Sequence, residues 1–551
     1  MAYSIKLTLI TITLLFCSHI AANADDIDSS GIENVRWSKS AYSNMEKLCK
    51  VWGIMKYFHP AVTQSDTDMD KELFSVMPQL IEAKENSNAI LLEWINHFGV
   101  KLNGSMEETL AEILSSGNNF PGKYLSCQVF TGAPIFTNEK IYMKMKDNDD
   151  GMRMLALFRY WNIINYFYPY KHLLNDWDGV LHKYVPIFAT ARTKREYQKA
   201  ILGLCHEIKD SHAVTTDGTE NIKLGDYSPL HIAYFGGRSA LNNLVFIGDT
   251  LVVKGTKPLK NGETEELPIQ RGDIILSVNC RKIKNIISER LPLMPSSNKE
   301  AGLVKLSETI LCTDDSVIDI TYLHNKKKQR CMLKTYPLKD IDFIANPKEK
   351  EANYFIKDSI VYINPASWQN IYFNHAWSQI ALSKGIIIDL REYPNEFLID
   401  SFGKKLYPDT THVVNVRVMD SRCLGSFKEF AGLKLHGDSS NYKGHVVLLA
   451  NEQSISQSEY TIMAFRKAPK AVVMGTHTAG ADGDVATITL PGCIYTYISG
   501  IEILYPDGGQ TQQIGLSPDI EVKPTVESIA KGKDILLEKA IGYIKEHGST
   551  E

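Results

Sequence analysis

Three serines crowd one short turn of this chain, in Ser454-Ile455-Ser456-Gln457-Ser458-Glu459. Before them runs an apolar stretch, Gly444 to Ala450, and after them a helical pattern from Gln457 to Lys467. A serine between a buried strand and a helix start meets unpaired N–H groups and the positive end of the helix dipole. Such a place suits a nucleophile whose attack builds an oxyanion. It equally suits ordinary helix capping by serine. A second polar tip, Lys209-Asp210-Ser211-His212, closes a helical pattern that begins near Glu196. The other helical unit of the chain has no such ending, which marks the tip as a carrier of chemistry.

These groups must be positioned by a long chain. Its 551 residues leave room for about three or four domains. Hydrophobic residues make up 44%, enough to build buried cores, so global disorder is excluded. A net charge of −4 gives no basic footprint for nucleic acid. A mean hydropathy of −0.18 excludes a polytopic membrane protein. Residues 1–24 read as an export signal: Lys6, an apolar run from Leu7 to about Phe16, then Ala22-Asn23-Ala24. The run is shorter than the about 20 residues of a membrane span. No integral span is expected after removal, and a periplasmic or secreted location follows. Cys17 offers a lipoprotein alternative, which Phe16 immediately before it disfavours. The eight later cysteines are scattered without a CxxC pair, so zinc spacing is absent and mostly buried thiols are expected.

A weak internal repeat organises the first half. VWGIMKYFHP at Val51–Pro60 recurs as YWNIINYFYP at Tyr160–Pro169, with Trp52, Tyr57 and Phe58 matching Trp161, Tyr166 and Phe167. Helical spacing predicts two related units with core aromatics, against the alternative of a ligand-binding aromatic box. From about Leu241 to Tyr336 the pattern alternates as in strands, and Arg271 to Asn279 (RGDIILSVN) resembles the late turn and strand of a PDZ domain. After Asp358 the chain turns α/β. Short apolar runs at Ser359–Ile363, Gly385–Leu390, Gly444–Ala450 and Ala471–Gly475 predict buried parallel strands, and Asp534–Glu546 predicts a terminal helix.

SISQSE, then AVVMGTHTAG, then IGLSPDIEV, resembles the core of the tail-specific or C-terminal processing serine peptidases and their tricorn-type relatives. The likeness spans about Glu196 to Pro524. It implies a helical N-terminal region, a PDZ-like β domain and a crotonase-like α/β catalytic domain. The boundaries expected are 1–24 signal, 25–150 and 151–240 helical units, 241–340 PDZ-like, 341–530 catalytic and 531–551 terminal helix. It implies Ser456 as nucleophile, with the Gln457 backbone N–H in the oxyanion hole. The lysine of the processing-peptidase branch falls on Ala481, so the tricorn-type pattern applies: His212 as general base, oriented by Ser211. That branch's glutamate before Gly515 is here Gln512, a neutral amide. The glycine-rich turn after the Gly385–Arg391 strand is here Glu392-Tyr393-Pro394-Asn395-Glu396, and the second oxyanion donor is expected at the backbone of Glu392 or Tyr393. His477 is a rival base; Glu459 and Glu502 are further acids in reach along the sequence; Asp482 and Asp484 are expected to shape a turn rather than bind metal. The resemblance implies an exported serine endopeptidase acting on peptide or unfolded protein, with no cofactor. The alternatives are a catalytically impaired binder of peptides or hydrophobic ligands on the same scaffold, and an esterase. Oligomeric state is not read from the sequence.

Overall fold

The computed structural model describes residues 28–100, 105–115, 120–218, 229–263, 265–343, 353–356 and 359–548. The signal segment 1–24 and Cys17 lie outside the described residues. Among the described residues no helix is long and apolar enough to cross a membrane.

The repeat is a packed pair of helical hairpins. Helices α1 (Lys39–Phe58) and α2 (Met69–Glu82) form the first, α3 (Asp150–Phe167) and α4 (Trp177–Thr190) the second. Equivalent tryptophans make equivalent bonds. Trp52 Nε1 donates to Met69 O at 2.8 Å and Trp161 Nε1 to Trp177 O at 2.9 Å. The hairpins meet reciprocally: Phe58 contacts Tyr166 at 4.8 Å between ring centroids, and Tyr57 contacts Phe167 at 5.1 Å. The aromatics are therefore core, as the helical spacing predicts, and the aromatic-box alternative falls. At the crossing, Gly53 faces its own repeat partner, Asn162. A Cβ on Gly53 would sit 1.8 Å from Asn162 Oδ1, while Asn162 Nδ2 donates to Cys49 O and Phe158 O, both at 2.9 Å. Gly53→Ala is expected to cost about 1–3 kcal/mol by overpacking. A urea melt should show a lower midpoint, partly restored by adding Asn162→Ala. An unchanged midpoint in the single variant would count against this packing.

Helix α5 (Lys194–His206) follows, started by a capping box between Thr193 and Glu196. Its chain continues through the Asp210–His212 tip into a short strand, β1 (Thr215–Asp217). The next region is an antiparallel sheet built on β2 (Asn242–Ile247), β3 (Thr250–Thr256), β4 (Ile274–Val278), β5 (Val317–His324) and β6 (Lys327–Lys334), in the order β6-β5-β4-β3-β2. Helix α6 (Lys299–Thr309) packs on it, and the sheet has its own core around Leu251, Ile275, Leu306 and Ile320.

The last region holds a six-stranded sheet of β7 (Asn353–Ile356), β8 (Ile360–Ile363), β9 (Gly385–Asp389), β10 (His445–Ala450), β11 (Ala471–Gly475) and, after intervening elements, Ile520–Glu521 at its edge. β7 is antiparallel to β8, and every other pair is parallel. All five residues of β9 are buried, which is why these strands read as unbroken apolar runs rather than alternating ones. Helix α7 (Gln457–Phe465) follows β10 and helps fill one face, and the C-terminal helix α8 (Ile535–His547) covers the other through Leu536, Ala540 and Ile544. Between them a hairpin of β12 (Val485–Leu490) and β13 (Ile494–Ser499) reaches toward the helical region. The molecule is multidomain α/β with a helical N-terminal region and a parallel catalytic-type sheet.

β1 pairs antiparallel with β13, with Thr215 opposite Thr496. This strand pairing joins the Asp210–His212 tip, early in the chain, to the β12–β13 hairpin of the last region. The helical units brace the same hairpin. Arg159 Nη1 donates to Thr489 O at 2.8 Å and Tyr197 OH to Pro491 O at 2.8 Å, and just past the hairpin the Ile503 N–H donates to Tyr170 OH at 2.9 Å.

Candidate active site

Ser456 stands between β10 and α7 with φ 55° and ψ −120°. That is a left-handed, sparsely populated conformation for a residue with a Cβ, and it holds only where the surroundings over-determine it. Here the Ser456 N–H donates to Ala481 O at 2.8 Å, and Ser456 O accepts from the Tyr460 N–H at 2.9 Å. The Ser456 side chain does not cap the helix. Capping, the ordinary use of a serine here, is thus set aside, and the hydroxyl is left at the mouth of the turn. The neighbouring serines are committed or enclosed. Ser454 Oγ donates to Leu390 O at 2.8 Å, and Ser458 is buried inside the first turn of α7. Gln457 is the first helical residue of α7, and burial pushes the Tyr393 phenol above its ordinary value, with Ser456 and Gln457 near enough to oppose the shift.

The turn is stabilised by a buried acid. Glu459 accepts from Thr478 Oγ1, from the Gly480 N–H at 3.0 Å and from the Ala481 N–H at 2.9 Å. Burial lifts its carboxyl to about 7, against the opposing pull of those hydrogen bonds. Glu459 therefore shapes the 478–481 loop, whose Ala481 carbonyl in turn holds Ser456. The same loop touches the other tip: Ser211 Oγ donates to Ala479 O at 3.0 Å. So residues 478–481 link the Ser456 turn to the Ser211–His212 tip.

His212 is held by Asp210 and Ser499. The His212 N–H donates to Asp210 Oδ1 at 2.9 Å. Ser499 donates twice to Asp210, from its N–H at 2.7 Å and from Oγ at 3.1 Å. His212 Nδ1 lies 2.9 Å from Ser499 Oγ and 3.8 Å from Asp210 Oδ1. A carboxylate only accepts, so the Ser499 hydroxyl hydrogen goes to Asp210. Ser499 Oγ must then accept from Nδ1–H, which leaves Nε2 with a lone pair. That Nε2 is buried and has no partner. Burial pulls the His212 pKa below its ordinary value and Lys305 adds to this, while Asp210 and Asp484 oppose it. The ring is neutral at neutral pH, with its basic nitrogen unoccupied.

Two orienting assignments differ from the sequence expectation. Ser211 does not orient His212: its Oγ is taken by Ala479 O and by the Ser297 N–H at 2.8 Å, while the Ser211 N–H donates to Ser297 Oγ at 2.8 Å. Ser499 stands at Nδ1 instead, because β1 pairing with β13 brings that strand end over the ring. Gln512 does not meet Ser211 either. Its Nε2 reaches Tyr168 OH at 3.4 Å, and Tyr168 in turn contacts Asp210. Glu502 is turned away into an ion pair with Arg417 at 2.8 Å. His477 is exposed on its loop. Asp484 accepts from Thr131 Oγ1 at 2.6 Å and from the Val485 N–H at 2.9 Å, as a turn-shaping residue does. Asp482 is buried beside Glu459, and both effects push its carboxyl well above the usual range. Among the described residues no group of three or more His, Cys, Asp or Glu could hold a metal. Among the described residues the eight cysteines are in the reduced form.

Asp210 was within the legible tetrad, and an Asp two residues before a His is a known way to grip the intervening backbone. Ser499 carried no local signal. A third element also grips the tip. Lys305 of α6 donates to Ser211 O at 3.0 Å and to Pro295 O, and burial lowers it to about 8. His206 Nδ1 lies 2.8 Å from Met294 O, and Asn298 Nδ2 donates to Thr478 O at 3.0 Å.

Ser456 is thus an uncapped serine between a buried parallel strand and the start of a helix. Residues 359–522 match the family model described as peptidase family S41. No curated protein sequence matches the chain. Among solved structures it is similar to mature CPAF, at 13% identity and a TM-score of 0.52, over 73% of this chain and 99% of that one. Mature CPAF complexed with lactacystin matches at 12% identity and a TM-score of 0.51, over 72% and 98%. The photosystem II D1 C-terminal processing protease matches at 13% and 0.38, over 70% and 98%. At these identities the likeness is one of fold.

Proposed function

We propose that the protein is a serine endopeptidase that hydrolyses peptide bonds through an acyl-enzyme. Ser456 attacks the peptide carbonyl, and His212 Nε2 takes the hydroxyl proton and returns it to the leaving amine. Water then enters and reverses the sequence. The observation that carries this reading is the imidazole: neutral, fixed in the Nδ1–H tautomer by Ser499 and Asp210, and buried with Nε2 unpartnered. A general base needs that state. The Gln457 N–H supplies one oxyanion donor at the start of α7. The S41 domain supports peptide or unfolded protein as substrate. The antiparallel sheet region, 241–340, acts as a PDZ-like domain that receives a peptide segment by strand addition. The signal-like residues 1–24 support export to the periplasm or beyond.

A fluorophosphonate probe tests the assignment directly. Wild-type protein is expected to be labelled on Ser456, located by peptide mass spectrometry, and to cleave an unfolded protein. Ser456→Ala should do neither. Binding of peptide or lipid with no labelling would point instead to a carrier on the same scaffold. Turnover of esters without amides would make it an esterase.

A further inference from the structure

One turn of the helical region holds two apolar side chains in water beside the site. Between the strands Leu125–Cys127 and Pro134–Phe136 the chain reverses through Gln128-Val129-Phe130-Thr131-Gly132. The turn is closed by its own bonds. The Gln128 N–H donates to Ala133 O at 2.9 Å, and the Gly132 N–H to Gln128 O at 3.0 Å. Gly132 has φ 77°, and a Cβ there would sit 3.3 Å from Val418 Cβ, so glycine lets the turn lie close against the last region. Two anchors fix it next to the reacting groups. Thr131 Oγ1 donates to Asp484 Oδ2 at 2.6 Å. Ala133 is fully buried, its Cβ 2.9 Å from where a Cβ on Gly500 would stand. The Gly500 N–H in turn donates to Asp484 O at 2.7 Å. Ser499, one residue before Gly500, stands at His212 Nδ1, and Ala481, three residues before Asp484, accepts the Ser456 N–H. Three residues of chain span at most about 11 Å. Counted link by link, the turn lies no more than about 30 Å from Ser456, the length of about nine extended residues. Yet Val129 is 91% exposed and Phe130 99%.

We propose that Val129 and Phe130 form an apolar subsite, which receives a hydrophobic side chain of the unfolded substrate at a fixed position within about nine residues of the bond being cut. This rests on the peptidase reading above. Single exposed apolar residues are ordinary on a protein surface. Here two adjacent ones are held out together, by a turn that hydrogen bonds close and that is fastened to the site. The occupant follows from size and place. An aromatic side chain buries about 150–250 Å², and valine less. The pair therefore falls well short of the about 800 Å² that each partner of a stable protein interface commits. It matches one or two side chains of a peptide. Apolar side chains are buried in a folded protein and accessible in an unfolded one. The subsite thereby favours unfolded chains, and it reads them at a distance from the bond that Ser456 attacks.

The test uses polar peptides that each carry one leucine, moved one residue at a time through the nine positions on either side of the cut. Wild type is expected to favour one leucine position about tenfold in kcat/KM. In Phe130→Ser, KM for that peptide should rise about tenfold with kcat unchanged, because the contact serves ground state and transition state alike. Peptides with leucine elsewhere should be cut as by wild type, and Phe130→Leu should keep the preference. A preference that survives in Phe130→Ser would overturn the proposal. So would an equal slowing on every peptide, which marks a structural residue. Loss of self-association or of binding to anionic phospholipid vesicles in Phe130→Ser, with the preference intact, would give the pair to a second copy or to a membrane instead. A wild type that takes fluorophosphonate on Ser456 but shows no positional preference would overturn the subsite alone. A wild type that cleaves no peptide and takes no fluorophosphonate would overturn the peptidase reading itself.

Discussion

Ser456→Ala and His212→Ala are each expected to lower kcat by about 10⁶-fold, and the double variant by no more than either alone. In the proposed mechanism the nucleophile and its base act as one unit, so removing either removes the same step. Residual hydrolysis should remain above the uncatalysed rate, because binding and the Gln457 N–H persist. Single-turnover assays with an activated ester would measure it. Losses that multiply in the double variant would mean that Ser456 and His212 act in separate steps, and activity within tenfold of wild type in either would reject the assignment. The wild-type pH profile carries a linked expectation. His212 must be neutral to act, and burial with Lys305 draws its pKa below 6.5 despite Asp210 and Asp484. Activity should therefore rise with pH along an acid limb centred below 6.5, and be lost as the ring protonates beneath it.

Asp210→Asn should cost about 10⁴-fold in kcat while leaving the fold intact. The carboxylate now accepts from the Ser499 hydroxyl, and that sets Nδ1–H on His212. An amide in its place can donate to Ser499 Oγ, giving up the bond that the same oxygen accepts from the His212 N–H. The serine hydroxyl hydrogen then turns to Nδ1, and the ring proton moves to Nε2, the nitrogen that must accept. The variant also loses the group that holds the His212 pKa up, so its weak residual activity should show an acid limb at still lower pH. A pH–rate profile of wild type and variant reads both effects. A limb that moves upward, or a loss under tenfold, would show that Asp210 does not set the tautomer. Tyr168, which joins Asp210 to Gln512, makes a useful comparison, since Tyr168→Phe leaves the carboxylate in place.

Much of the scaffold was legible because its signals are local. Unbroken β-branched runs at Gly385–Asp389 and His445–Ala450 mark strands buried on both faces, and they pair in parallel with Ile388 opposite Leu448. The recurrence of Trp52 and Trp161 marks two copies of one hairpin, each locked by the same indole bond. The turn at Ser454–Glu459 was readable as a strand-to-helix junction. What the turn does with each serine was not, since capping and exposure differ only by a backbone conformation, φ 55° at Ser456, that no residue type there announces. The orienting pair was misread for a related reason. Ser211 lies next to His212 in sequence, but adjacent side chains point apart, and its hydroxyl went to Ala479 and Ser297.

By itself, then, the sequence determined the elements, their periodicities, the strand-to-helix turn at Ser454–Glu459 and the Asp-Ser-His tip, because each is encoded within a few consecutive residues. Only the tertiary structure decided which groups surround His212 and Ser456. Ser499 reaches the imidazole because β1 adds to β13, and Glu459 grips the loop that holds Ser456. Each of these contacts joins residues far apart in the chain. Strand pairing and burial select them, and neither leaves a mark on the local spacing of residue types.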